Sequence, residues 1–238
     1  MYSVHRENTM DSLPQEIIDA IIDNIQRSSL HSSSLVARRW RTRSQKRVLH
    51  SITFSSEVKV DHWHTDVQRG QNRILSYVHL VEFRDIDSWN EPELFCRTLK
   101  GFCSLKALET YGCAIPDELA GQISRGEFGR GITTLSLRFP GCDLSTITSI
   151  ILSLPDLKKL KVALDETTSR KSLSTSIVSQ RKSLDLLELY LQADEVVEVL
   201  IQAQFTFRYV RLGSFISSAH RLLAISSETL VELTLEGV

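Results

Sequence analysis

From Leu49 onward the pattern apolar-x-x-apolar-x-apolar recurs eight times, and it limits the fold more than any other feature of the 238 residues. Its middle positions are Ile52, Val81, Leu108, Leu135, Leu160, Leu187, Val210 and Leu233, separated by 29, 27, 27, 25, 27, 23 and 23 residues. Apolar residues make up 42% of the chain, so about 10 of the 24 key positions would be apolar by chance, yet 23 are. The exception is Thr110. Alternation within each instance predicts a short strand. The segments between predict helices. Asp117–Arg125 follows Pro116, a favourable first-turn residue, and Ser145–Leu154 is stopped by Pro155. Asp194–Gln204 opens with acids suited to the positive end of a helix dipole, and Phe215–Ile225 is apolar enough to cover a sheet. The expected class is α/β, one strand and one helix per period.

That unit resembles a leucine-rich repeat. The resemblance implies that residues 49–238 form a curved solenoid of about eight irregular repeats, with a parallel sheet on the concave side. One unit cannot bury its apolar face alone, but stacked neighbours make a continuous core. The stretch Glu57–Asn72 is irregular, and no polar cap follows the last strand, so the expectation is either a fragment or an array that leaves that edge exposed. Cys113 and Cys142 follow their strands where such repeats often carry Asn or Cys, which implies structural thiols. Residues one after the middle positions should point away from the core: Thr53, Glu82, Glu109, Ser136, Lys161, Glu188, Arg211 and Thr234. The next outward row adds Arg84, Tyr111, Arg138, Tyr190 and Glu236. Tyr and Arg are favoured interface anchors. Tyr111, Arg138, Tyr190 and Arg211 are therefore the candidates for holding a target protein, with an ordinary solvated face as the other reading.

The first fifty residues are a different material. The net charge of −1 hides a stretch, Asn24–Ser56, with seven Lys and Arg and no acid; the remainder holds 21 basic and 29 acidic residues, or −8. Residues 1–10 are polar, expected to be disordered, and lack the apolar run of a signal peptide. Asp11-Ser12-Leu13-Pro14 then offers caps and an early proline for a helix over Gln15–Ile25. Five isoleucines (Ile17, Ile18, Ile21, Ile22, Ile25) fall within about 140° of that helix. Further helices are predicted over Leu30–Trp40 and Ser44–Leu49. A unit over 11–50 has a small core and would be marginal alone.

Leu13-Pro14-x-Glu16-Ile17-Ile18-x-x-Ile21-Ile22, then Leu30, then Leu35-Val36-x-Arg38-Arg39-Trp40, resembles an F-box. The link between Ile25 and Leu30 is shorter than is usual there and lacks an Asp. The resemblance implies docking on the small adaptor subunit of a cullin–RING ubiquitin ligase. It also implies that Leu13, Pro14, Ile17, Ile18, Ile21, Leu35, Val36 and Trp40 hold either the adaptor or the unit's own core. Together with the repeats it implies a substrate-recognition subunit, without catalysis of its own, whose repeats hold an unknown target protein.

Other function classes have less behind them. No apolar run approaches the roughly 20 residues of a membrane span, so no membrane partner is expected. Four cysteines without an export signal read as reduced thiols, and the setting as cytoplasmic or nuclear. His62 and His64 lack the companions of a metal site, Gly126–Gly131 lacks the strand–loop–helix setting of a phosphate cradle, and no nucleophile set is evident. No catalytic residue, metal or cofactor is expected. Two readings stay open beside the ligase receptor. One is a leucine-rich-repeat scaffold whose N-terminal helices are only a cap. The other is nucleic-acid binding through Arg38–Arg47, which predicts those side chains on one exposed face.

Overall fold

The computed structural model describes residues 13–68, 72–164, 182–191, 194–213 and 218–236. The expected disorder of 1–10, the caps Asp11 and Ser12, and Phe215 lie outside them. Eight strands form: β1 (Ser51–Phe54), β2 (Leu80–Ile86), β3 (Ala107–Cys113), β4 (Thr134–Arg138), β5 (Lys159–Leu164), β6 (Ser183–Leu191), β7 (Thr206–Leu212) and β8 (Glu232–Leu235). They make one sheet in sequence order, every neighbouring pair parallel. The eight middle residues named above stand side by side across it, from Ile52 against Val81 to Val210 against Leu233. A sequential parallel sheet needs a crossover after each strand, and right-handed crossovers put the connecting helices on one face.

Those helices are α4 (Glu57–Gln68) and α5 (Asn72–Leu75) after β1, α6 (Pro92–Gly101), α7 (Glu118–Ser124), α8 (Leu144–Ser153), α9 (Asp194–Gln202) and α10 (Ala219–Ser226). Pro92 opens α6, and the Asp143 carboxylate caps α8 by accepting from the Thr146 amide at 2.9 Å. One apolar core runs from Phe54 to Leu222 between sheet and helices. Its first units are filled with rings: Phe83 stacks on Phe54 at 5.5 Å and packs on Phe95 at 4.5 Å, and Trp63 of α4 joins Phe54 and Phe102. Within the irregular stretch, Glu57–Gln68 is helical, with aromatics in place of regularly spaced leucines, and residues 69–71 lie outside the described residues. At the other edge the inward residues of β8 remain 39% (Leu233) and 61% (Leu235) exposed.

A second repeat shows in the backbone. Asp85, Gly112 and Phe139, each four residues beyond a middle position, all have positive φ, at 54°, 53° and 51°. Three successive strands thus carry the same left-handed bend near their C-terminal ends, inside β2 and β3, where Ile86 and Cys113 still pair beyond it, and just after β4. Glycine is suited to it, whereas Asp and Phe hold it under strain.

The N-terminal residues form α1 (Gln15–Asn24), a 3-10 turn at Arg27–Ser29, α2 (Leu30–Val36) and α3 (Arg38–Val48). The turn fills the short link after Ile25. The single helix expected over Leu30–Trp40 is instead two. Ala37 is extended (φ −153°, ψ 157°), which breaks the helix and lets Trp40, 6% exposed, turn inward. The separate helix expected at Ser44–Leu49 is the continuation of α3.

Thr110 occupies an inward position between Phe83 and Leu137, is 2% exposed, and its hydroxyl has no hydrogen-bond partner among the described residues. Thr110→Val keeps the shape and removes the buried unpaired hydroxyl, so it should raise stability by about 1 kcal/mol in urea titration. A pH dependence follows from two histidines. Burial, then the His79 ring stacked at 4.9 Å and nearby Arg27, lower the pKa of His50; burial, then Arg97, lower that of His64. As pH falls through about 6.5 the unfolded chain takes up these protons first, which draws the equilibrium toward it. The melting temperature should drop between pH 7.5 and 5.5, and drop less in His50→Gln/His64→Gln.

Candidate functional site

The helical unit has a core of its own, separate from that of the sheet. Ile18, Ile22, Leu30 and Trp40 are buried, and Leu13, Ile25, Ala37 and Val48 pack against them. Ile18 and Ile22 lie one turn apart on the same face of α1. Pro14, Ile17 and Ile21 occupy a neighbouring face and reach solvent, Ile17 at 48% and Ile21 at 38% exposed. At the α2–α3 junction Leu35 and Val36 are exposed at 71% and 58%. The eight residues singled out in the sequence therefore divide. Ile18 and Trp40 hold the interior with Leu13 half-buried against it, while Pro14, Ile17, Ile21, Leu35 and Val36 stand outward. The start of α1 and the α2–α3 junction are neighbours: Leu13 and Ala37 share the same core, and Arg39 Nε donates to Gln15 Oε1 at 3.3 Å. Pro14 and Ile17 at that end of α1 therefore stand near Leu35 and Val36, with Ile21 one turn farther along.

The basic residues divide as well. Arg47 donates to the carbonyls of Ile22 and Ile25, closing the C-terminal end of α1. Arg43 holds the Asp23 carboxylate with two hydrogen bonds, at 2.9 and 2.5 Å, and so keeps that carboxyl below its ordinary pKa. Arg27 reaches from the 3-10 turn to the Ser51 carbonyl at 2.6 Å and the Val48 carbonyl at 3.4 Å, fastening the helical unit to β1. Lys46 lies over the Tyr77 ring at 5.6 Å. Arg27, Arg43 and Arg47 are thus engaged at helix ends and the junction, while Arg38, Arg39, Arg41 and Lys46 are exposed.

On the sheet face turned away from the helices the first outward row lies in register from Thr53 to Thr234. Its centre is a carboxylate. Glu188, 4% exposed, accepts from Lys161 Nζ at 3.0 Å on one side and from Arg211 Nη1 at 3.5 Å on the other. Arg211 also reaches Glu236 at 3.3 Å, and a Tyr190 hydrogen bond followed by Glu188 raises its pKa. Among the target candidates, then, Tyr190 and Arg211 meet in one network, and Arg211 is already engaged. Tyr111 and Arg138 stand side by side in register, Tyr111 43% exposed and edge-on to the Phe139 ring at 5.6 Å. A further outward row, Lys159, Leu186, Tyr209 and Glu232, went unread in the sequence although strand alternation places it on this face.

Burial pushes the Cys113 and Cys142 thiols up to about 12 and the Cys96 thiol up to about 11. Thiols held protonated are poor nucleophiles and metal ligands. His62 and His64 both lie on α4, and no group of three or more His, Cys, Asp or Glu converges among the described residues. No helix among them is long and apolar enough to cross a membrane.

No family model matches the chain, and no curated protein matches it in sequence. The division of the apolar set has a direct consequence. Ile18→Ala should destabilise the helical unit by about 2–5 kcal/mol. Ile17→Ala and Leu35→Ala should each stay within about 0.5 kcal/mol of the parent, as surface changes do. Urea titration followed by tryptophan fluorescence in a Trp63→Phe/Trp89→Phe background, which leaves Trp40 as the reporter, would separate the two classes.

Proposed function

We propose that this chain is the substrate-recognition subunit of an F-box-type cullin–RING ubiquitin ligase. Its helical unit docks on the small adaptor subunit, and its repeats, of the leucine-rich kind, offer the outward face of the sheet to a target protein. The observation that carries this reading is the outward set Pro14, Ile17, Ile21, Leu35 and Val36 on a unit that already owns a core. A helical cap serving only the repeats would turn its spare apolar residues onto the first strand, where Ile17 and Ile21 do not go. The order of the parts, an F-box-like motif followed at once by the repeats, supports the same reading.

Such a subunit supplies no bond-making group. It raises the local concentration of target near the ubiquitin-charged enzyme and fixes its orientation, which turns an encounter in solution into a near-intramolecular transfer. A stiff connection helps, because motion between the two docking surfaces would dilute that gain. Arg27, bonded to Ser51 across the junction, and the absence of a Gly/Ser linker before β1 serve stiffness.

Co-purification with a recombinant cullin–RING adaptor subunit tests the proposal. The wild-type chain should be retained, and Ile17→Asp/Leu35→Asp, folded by circular dichroism, should bind at least about 100-fold more weakly, as loss of central apolar anchors does. Ile18→Asp is unsuitable, since it places a charge in the core. Failure of the folded wild-type chain to bind would leave a scaffold outside the ligase.

A further inference from the structure

The outward face of the sheet carries two depressions of different character. The larger, about 450 Å³, lies over β5–β8. Leu186 and Tyr209 supply its apolar floor, and Lys159 and Arg208 stand against the two carboxylates of Asp185 and Glu232, Arg211 being held already by Glu188 and Glu236. Arg208 lies over the Tyr209 ring at 5.8 Å, and neither it nor Lys159 has a carboxylate partner among the described residues. The smaller depression, about 260 Å³, lies over β2–β4, where Glu82, Asp85 and Glu109 outnumber Arg84 and Arg138. Arg84 is paired with Glu82 at 2.7 Å, so Asp85 and Glu109 set the sign of what that site attracts.

A uniformly charged partner fits only half of this face. Nucleic acid or an anionic membrane surface would meet balanced charge at the β5–β8 end and repulsion at the β2–β4 end. A protein segment carrying both signs satisfies both. The two centres lie between three and four strands apart, about 17 Å at the usual strand spacing. An extended chain covers that distance in about five residues.

We infer that this face binds an extended protein segment of about nine residues. It carries a basic side chain at one end, seated near Asp85 and Glu109. About five residues away it carries an apolar side chain flanked by carboxylates, which rests on Leu186 and Tyr209 beneath Lys159 and Arg208. That the segment belongs to a target for ubiquitin transfer rests on the receptor reading; the chemistry of the segment does not.

The probe is a yeast-displayed library of random nonapeptides sorted against the full chain. Enriched peptides should show Lys or Arg toward one end and an aromatic or aliphatic residue between Asp or Glu toward the other. Measured singly by anisotropy, they should bind at least about 10-fold more weakly to Glu109→Lys and to Lys159→Glu, both chosen to melt with the parent. A peptide with its basic end changed to Glu should recover binding to Glu109→Lys. Enrichment of uniformly acidic or basic peptides, enrichment indifferent to both variants, or none beyond that given by the double variant would overturn the inference. Because the sorting needs no adaptor, loss of adaptor binding with bipolar peptides retained would strike the receptor reading alone.

Discussion

Parallel register is the constraint on which the rest of the sheet depends. Each unit presents an apolar strand face that its own helix is too small to cover, so the neighbouring units complete its burial. The completion works only if like positions stand opposite like. A slip of one residue along any strand would turn Val81, Leu108 or Leu160 to solvent and bring Glu82, Glu109 or Lys161 into the core. The regular sequence interval is the visible trace of that requirement. The scatter from 23 to 29 residues is taken up in helices and turns, where added length disturbs no pairing.

Polar contacts between units follow a rule of their own. Glu57 at the start of α4 accepts from the backbone of Asn90 and Glu91, just ahead of α6, at 3.1 and 2.8 Å. Asp117 accepts from Thr146 of α8 at 2.9 Å, and Asp194 from the amide of Ser218 at 2.9 Å. In each case an acid near the start of one helix bonds the start of the next unit, where free amides and the helix dipole favour negative charge. The helical side of the molecule is thereby tied from unit to unit as the strands are on the other. On the outward face Glu188 plays a comparable part, holding Lys161 and Arg211 in place.

The strands were legible because alternation and interval agree, and all eight middle residues lie where the pattern puts them. The helices were less so. No composition rule marks Ala37 as extended; what places the break there is the burial of Trp40, a long-range demand. The aromatic packing of Phe54, Trp63, Phe83 and Phe95 was hidden for the same reason, since rings of that size substitute for leucines at other spacings. The division of Ile17 and Ile21 from Ile18 and Ile22 could not be read from one amphipathic stripe, because both pairs belong to it. Only the position of α3 decides which of them is covered. The uses of Arg27 and Arg47 were likewise invisible, as a guanidinium bound to a carbonyl leaves no charge partner in the sequence.

Every strand meets only the strands made just before and just after it. The chain therefore never has to hold one strand in waiting for a distant partner. At a synthesis rate of about 5–20 residues per second, one unit of the array leaves the ribosome in about one to six seconds. A short helix or hairpin-sized contact forms in microseconds. The helical unit with its private core emerges before the sheet, and each later strand finds its template already in place. Assembly can thus proceed in the order of translation, with the exposed apolar surface at any moment limited to the growing edge.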